Sequence, residues 1–466
     1  MKKQPKPTKH SSVVFNQLCK LIPVGMVRSL ATEYGVDKKS RTFTPWSHVV
    51  CLLYCQLTHC IGLNDLCDAL RHHSAKLFAV RGATPPSRNG LSNANRERNA
   101  DMMEALFWKM LDHLQNQFPG FGPSGRYKGL PRRFKKTVYS IDSSTITLVA
   151  NCMDWAKHRR RKAAAKLHLC LNLQTFLPSF AVIEEGSHHD SSRMIALCAG
   201  LAAGEIAVFD KAYVHFKHLF SLTGRGVFWV TRAKDNMRYH VCKKRKVSGD
   251  ILRDDEVTLK NKSSKADYPQ RMRRIVALVE VDGKMVEMVF ITNNMNWAAS
   301  SVCDLYKSRW SIEVFFKQIK QTLQVCDFLG HSKQAIRWQL WSALLMYVLL
   351  RFQAWCSQWP HSFTRIFTMI RAVVWDRFDL VFCRVLRGGW IATRLWRPSP
   401  RAPKVHSGVT RLHSRDTRQH SGDTRMQSGV NRVPYSATRV HSGDTRVHQW
   451  NQSIGVTNMN SGVRVH

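Results

Sequence analysis

Tyr306, Arg309, Glu313 and Lys320 follow one another at intervals of three, four and seven residues, with Lys317 between the last two. On an α-helix that spacing gathers the side chains along one stripe. A carboxylate with cations a turn above and below suits a metal-dependent site that also grips a phosphate backbone. The apolar residues around them (Trp310, Ile312, Val314, Phe315 and Ile319) are expected to pack the helix into a core.

Phosphoryl transfer without a covalent intermediate uses two divalent ions roughly 4 Å apart, one activating the nucleophile and one stabilising the leaving oxygen. Hard Mg²⁺ takes carboxylate ligands, so three carboxylates from separate elements are the minimal scaffold. Asp142 lies inside the β-branched run Val138-Tyr-Ser-Ile-Asp-Ser-Ser, and a charge there costs several kcal/mol unless it is paired or metal-bound. Asp210 ends the run Ile206-Ala-Val-Phe-Asp, after which Lys211-Ala-Tyr213 turns the chain away. Each acid also has an ordinary reading: Asp142 as a local cap for Ser143 and Ser144, Asp210 as a strand-end turn former, Glu313 as an ion-pair partner of Arg309 or Lys317.

Taken together, the strand around Asp142, Trp155-Ala156 followed by Lys166-Leu-His168, Asp-Lys-Ala-Tyr at 210 to 213, and Tyr306 to Lys320 resemble the DDE transposases of the insertion-sequence-four family. The match runs over about residues 10 to 390. The resemblance implies a catalytic and metal-binding triad of Asp142, Asp210 and Glu313 with two Mg²⁺ ions, Mn²⁺ substituting. It implies that Tyr306, Arg309 and Lys320 contact phosphates near the transposon end, with Lys317 and Trp310 counted as further DNA-binding candidates. It implies terminal-repeat DNA and target DNA as partners, strand cleavage followed by strand transfer, and a homodimer or larger synaptic assembly. Trp229 and Trp297 read first as core residues, and the resemblance makes them candidates to stack on a flipped base. The residues leave a second reading open, a decayed or domesticated non-catalytic DNA-binding copy, and a third, a stand-alone nuclease.

These residues need elements to position them. Three- and four-residue apolar spacing predicts helices over Phe15–Tyr34, Pro45–His59, Leu63–His72 and Asn99–Phe118. A turn at 82–87 leads to a polar helix carrying Arg88, Asn93, Asn95, Arg96 and Arg98, compatible with a helix-turn-helix reader in which Asn95 and Arg96 contact DNA. Residues 1–125 are therefore expected to be a helical DNA-binding domain. From about 133 the pattern turns to strands at 136–148, 167–173 and 180–184, a helix at 194–203 and a strand at 206–210, the order that opens an RNase H-like fold. The expected class is α/β: a catalytic domain over 133–397 with a β-rich insertion at about 226–292. Asp250–Gln270 within it reads as a charged loop. Residues 157–162, which include Arg159, Arg160 and Arg161, form a hairpin-like basic run placed to meet phosphates. His168 and the His188-His189-Asp190 loop are expected to be structural, with Asp190 also an extra acidic ligand candidate.

Composition agrees with a polyanionic partner. There are 71 Lys and Arg against 32 Asp and Glu, a formal charge of +39. Such an excess draws much of its affinity from phosphate neutralisation. The 13 cysteines include no Cys-x-x-Cys, which excludes a zinc ribbon, and a cytoplasmic, nucleoid-associated protein is expected. No apolar run opens the chain, and Leu340–Leu350 is too short to span a bilayer and reads as a buried helix. Residues 398–466 carry heptad-spaced His-Ser-Gly-Asp-Thr-Arg repeats with no apolar seam, and are expected to be disordered. That tail contributes only a small part of the positive charge.

Overall fold

The computed structural model describes residues 10–380 apart from 39, 122–133, 149–151, 153–156, 160–161, 186–189, 282 and 325–327. The repeat tail and the arginines at 160 and 161 lie outside the described residues, as do the side chains of Arg159 and Asp190.

Strands β1 (Val138–Leu148), β2 (Lys157–Arg159), β3 (Lys162–Asn172), β4 (Leu177–Glu185), β5 (Ile206–Phe209), β6 (Phe228–Arg232), β7 (Tyr239–Lys244), β8 (Ile251–Leu259), β9 (Met272–Val281) and β10 (Lys284–Thr292) join one ten-stranded sheet. Its order is β2-β3-β1-β5-β6-β10-β9-β8-β7, with β4 also paired to β3. β1, β3 and β4 are antiparallel, whereas β5 and β6 run parallel to β1. Parallel strands need a crossover, and the helix Asp190–Leu197 and the helix Phe216–Gly224 lie in the two connections. The strand-rich stretch 226–292 does not fold back as a separate sheet: β10 pairs β6 and carries the central sheet outward.

One expectation fails here for an instructive reason. The charged stretch 250–270 contains β8 and a short helix, Lys262–Asp267, rather than a loop. Asp254 and Asp255 on β8 are buried because arginines of β9 reach them: Arg273 holds Asp254 at 2.6 and 2.7 Å, and Arg274 stands 3.8 Å from Asp255. The predicted helix Phe15–Tyr34 is likewise two helices, Val14–Lys20 and Val24–Glu33, since Pro23 caps the second.

The helix α13 (Lys333–Cys356) is buried through most of its length. The N-terminal helices pack on it and share its hydrophobic core. Trp338 donates its indole N–H to the Arg98 carbonyl at 3.0 Å, and Arg337 pairs with Asp101 and Glu104 at 2.6 and 2.7 Å. The N-terminal helices are thus continuous with the body that carries the sheet. No single described helix is long and apolar enough to cross a membrane.

Candidate active site

β1 and β5 are parallel neighbours, and Ile141 stands opposite Phe209. Asp142 and Asp210 each follow that pair by one residue, so the two acids come side by side where β5 ends and β1 continues along β3. Asp142 is largely buried, and its register partner on β3 is Leu169. Burial pushes its carboxyl up to about 6, against the pull of Arg309; Asp210 and Glu313 add to the rise.

The third carboxylate arrives on a jointed helix. α11 (Ala299–Ser308) and α12 (Trp310–Lys317) meet at Arg309, and a wider π-type turn over Gln318–Thr322 follows. The joint is tight: Arg309 N–H donates to the Tyr306 carbonyl at 3.0 Å, three residues back, and Ile312 repeats this to Arg309 at 3.0 Å. Ser308 Oγ donates back to the Leu305 carbonyl at 2.5 Å, and Ser140 of β1 donates to the Arg309 carbonyl at 3.4 Å. The joint is thereby seated on the strand that carries Asp142.

Arg309 is the centre of the resulting cluster. One guanidinium nitrogen reaches Asp142 Oδ2 at 2.8 Å and the other reaches Glu313 Oε1 at 2.8 Å. Its Nε is buried with no hydrogen-bond partner. Burial works against its charge, but Tyr306, Asp142 and Glu313 outweigh that and raise its pKa. Tyr306 donates its phenol to Asp210 Oδ2 at 3.4 Å. Burial, with the Asp210 charge, pushes that phenol up to about 12, so it keeps its proton. Lys320 donates to the Thr145 carbonyl of β1 at 2.6 Å, and burial lowers its pKa. Four residues of the predicted stripe therefore gather over the middle of β1 and the end of β5.

Each acid also keeps its ordinary contact. Asp142 accepts from Ser143 N–H at 2.8 Å, Asp210 from Ala212 N–H at 3.0 Å, and Glu313 pairs with Arg309. Among the described residues no three His, Cys, Asp or Glu side chains converge as a ready-made metal cage. A guanidinium stands between two of the three acids instead.

The expectations for Trp310, Val314 and Asn95 are corrected, whereas Trp229, Trp297 and His168 take the ordinary structural roles read for them. Trp310 and Val314 do not pack into the core; they are 57% and 49% exposed, because α12 buries only the face bearing Ile312, Phe315 and Phe316, with Ile319 beyond it. Lys317 shares the outer side. Asn95 is buried, with its Oδ1 2.8 Å from His48 Nε2, so it cannot reach a base in this conformation; its neighbour Arg96 is exposed and pairs with Glu97. Trp229 is a core residue, its indole N–H bound to Thr223 at 3.0 Å. Trp297 is half-buried against Phe228 and Phe134. His168 registers with Ser143, so alternation turns it to the face opposite Asp142, where it lies 3.0 Å from Glu184. Sequence reasoning missed Lys211 and Lys234, which line a cleft with Asp210; the Lys211 that follows Asp210 directly was the available signal.

The chain is similar to several known proteins. Residues 133–349 match the Transposase DDE domain, and residues 10–80 match a domain of unknown function, DUF4372. A probable transposase for insertion sequence element IS5377 of Geobacillus stearothermophilus is 30% identical over 74% of this chain and 85% of its own length. Transposase InsG for insertion sequence element IS4 of Escherichia coli K12 is 29% identical over 32% of this chain and 34% of its own. Among solved structures, the piggyBac transposase synaptic complex with hairpin DNA covers 87% of this chain and 89% of that one at 9% identity and a TM-score of 0.41. On the breadth and identity of the first of these relatives, the chain belongs to the DDE transposases of insertion sequences, enzymes that cut and join DNA.

Proposed function

We propose that Asp142, Asp210 and Glu313 are the catalytic carboxylates of this transposase and hold two Mg²⁺ ions, with Mn²⁺ substituting. The observation that carries the reading is the single guanidinium of Arg309 lying 2.8 Å from both Asp142 and Glu313, with Asp210 beside them at the end of β5. A cation already neutralises this pair, and the donor set is all hard oxygen, which fits Mg²⁺. Divalent ions bound there would supply an activated nucleophile and stabilise the leaving oxygen of a phosphodiester.

The chain's own residues do the rest. Tyr306, kept protonated by burial, orients Asp210 by donating to it. Arg309 and Lys320 bring positive charge to the edge where a DNA phosphate must lie. Trp310 and Lys317, on the outer face of α12, meet the same DNA end, and the basic run with Arg159, Arg160 and Arg161 adds phosphate contacts. The N-terminal portion, with Arg96 exposed on its polar helix, contacts the terminal repeats. The strand order β4-β3-β1-β5-β6 supports an RNase H-like catalytic core over 133–397 with the 226–292 strands as its insertion, preceded by a helical domain over 1–125. Two ends must be cut together, which favours a dimer or larger synaptic assembly on double-stranded DNA.

The test is Mg²⁺-dependent cleavage and joining of a labelled duplex bearing the end of the element. Asp142→Asn, Asp210→Asn and Glu313→Gln should each abolish both steps while duplex binding persists. Mg²⁺-dependent cutting retained by any one of them removes that residue from the triad. Binding without cutting by the unaltered protein would favour the decayed, DNA-occupying copy.

A further inference from the structure

β7 is the free edge of the sheet, six strand-to-strand steps from β1. At about 4.8 Å per step that is roughly 29 Å, too far for anything bound there to be the reacting phosphate. Five of its six residues are exposed, so neither of its faces covers a core. The strand runs into Lys243-Lys-Arg-Lys246, and this run lines one side of a cleft of about 620 Å³ whose opposite wall is Ala298, Ala299 and Ser300 at the start of α11.

The charge of this run is unevenly compensated. Arg245 is fixed, reaching Glu256 at 3.2 Å and the Met295 carbonyl at 2.6 Å. Arg273, deeper in the cleft, is committed to Asp254 and to the Trp297 carbonyl. The cross-strand partners of Lys243 and Lys244 are Glu256 and Asp255, yet those carboxylates face arginines: Glu256 takes Arg245 and Arg271, and Asp255 stands near Arg274. Every acid of β8 is thus matched by an arginine, and two of those arginines, Arg245 and Arg273, line the cleft. Lys243, Lys244 and Lys246 are exposed and have no ion pair among the described residues. Lysines on an edge strand also deter edge-to-edge pairing. That role does not call for three in four consecutive positions, with the local acids sequestered and a cleft beside them.

We propose that this edge is a second DNA grip, separate from the carboxylate site, in which Lys243, Lys244 and Lys246 hold the sugar–phosphate backbone of duplex DNA without reading its sequence. It goes beyond the catalytic reading and does not need the triad to be correctly assigned.

The experiment measures binding of the full chain to a random-sequence duplex across a salt titration. It compares the unaltered protein, the triple variant Lys243→Gln/Lys244→Gln/Lys246→Gln, and the triple Lys→Arg variant at the same positions. Loss of three phosphate contacts flattens the slope of log affinity against log salt by about 2.7, which narrows the affinity ratio between 50 and 200 mM salt by roughly 40-fold. The arginine variant should keep the original slope. An unchanged slope in the glutamine variant overturns the proposal, and aggregation with that same slope would assign the lysines to edge protection alone. Absence of salt-dependent duplex binding by the unaltered protein would overturn this grip together with the wider DNA-contact reading. Loss of cutting by triad variants with the slope intact would leave the grip standing.

Discussion

Replacing Arg309 by glutamine should tighten divalent-metal binding while impairing engagement of DNA. In the structure Arg309 occupies the charge-neutralising position between Asp142 and Glu313, with a 2.8 Å hydrogen bond to each. A metal that takes those oxygens must first displace it. Hydrogen bonds to charged groups contribute about 1.5–3 kcal/mol each. The Glu313 side chain is 38% exposed, so water screens part of its bond and the pair is discounted. A net competition of about 2 kcal/mol remains, or roughly 30-fold in the metal dissociation constant. The assay is titration of Mn²⁺ into the metal-free protein, read by the loss of free-ion electron paramagnetic resonance signal, which does not depend on turnover. Glutamine should bind Mn²⁺ more tightly than arginine, and the metal should raise its melting temperature further. End cleavage should nevertheless fall, since the phosphate partner is gone. Weaker or unchanged Mn²⁺ binding in Arg309→Gln would refute the competition and leave Arg309 as a scaffold for the carboxylates.

Other outcomes follow from the same contacts. Asp254→Asn strands the buried Arg273 guanidinium and should destabilise the fold by about 3–5 kcal/mol in urea unfolding, with the Arg273→Met/Asp254→Leu double variant recovering much of it. Burial, aided by Arg98, lowers the His48 pKa to about 3 from its usual value near 6.5. Between those values the unfolded chain binds a proton that the folded chain refuses, so stability is present above about 6.5 and is lost as pH falls toward 3. Acidification from pH 6.5 to 5 should therefore cost wild type about 2 kcal/mol more than His48→Gln, measured by denaturant midpoints. Trp310→Ala should leave the melting temperature unchanged and weaken binding to the element's end, whereas Trp229→Ala should cost about 3–5 kcal/mol of stability.

The parts of the site that were legible in the sequence are those where local pattern and chemistry coincide. Asp142 and Asp210 stand out because each interrupts or ends an apolar strand, and the parallel pairing of β1 and β5 then brings the two together. The stripe from Tyr306 to Lys320 was legible because helical intervals survive even a joint at Arg309. What was not legible depended on partners distant in sequence. β8 looks like a loop because Asp254, Asp255 and Glu256 are consecutive acids. Only the arrival of Arg273 and Arg274 from β9 and of Arg245 just past β7 makes burial of that stretch tolerable. Asn95 looked like a base reader for the same reason: nothing local reveals that His48, 47 residues earlier, claims its side chain. Trp310 looked like core because its neighbours are apolar, but a helix lying on a sheet buries only one face.

The ordinary contacts of the three acids do not compete with the catalytic roles proposed for them. The Ser143 amide fixes one oxygen of Asp142, the Ala212 amide fixes one of Asp210, and Arg309 holds one of Glu313. Each contact engages a single carboxylate oxygen and leaves the group further acceptor capacity. Asp142 and Asp210 are held through both oxygens, by Ser143 with Arg309 and by Ala212 with Tyr306, and carboxylates anchored this way lose rotamer freedom before any ligand arrives, which lowers the ordering penalty of binding. The contacts that made each residue unremarkable on its own are the ones that hold the set in place. A site built this way is expected to be most sensitive at the positions that aim the acids, and Ser140, which seats the Arg309 joint on β1 without touching any of the three, is among them.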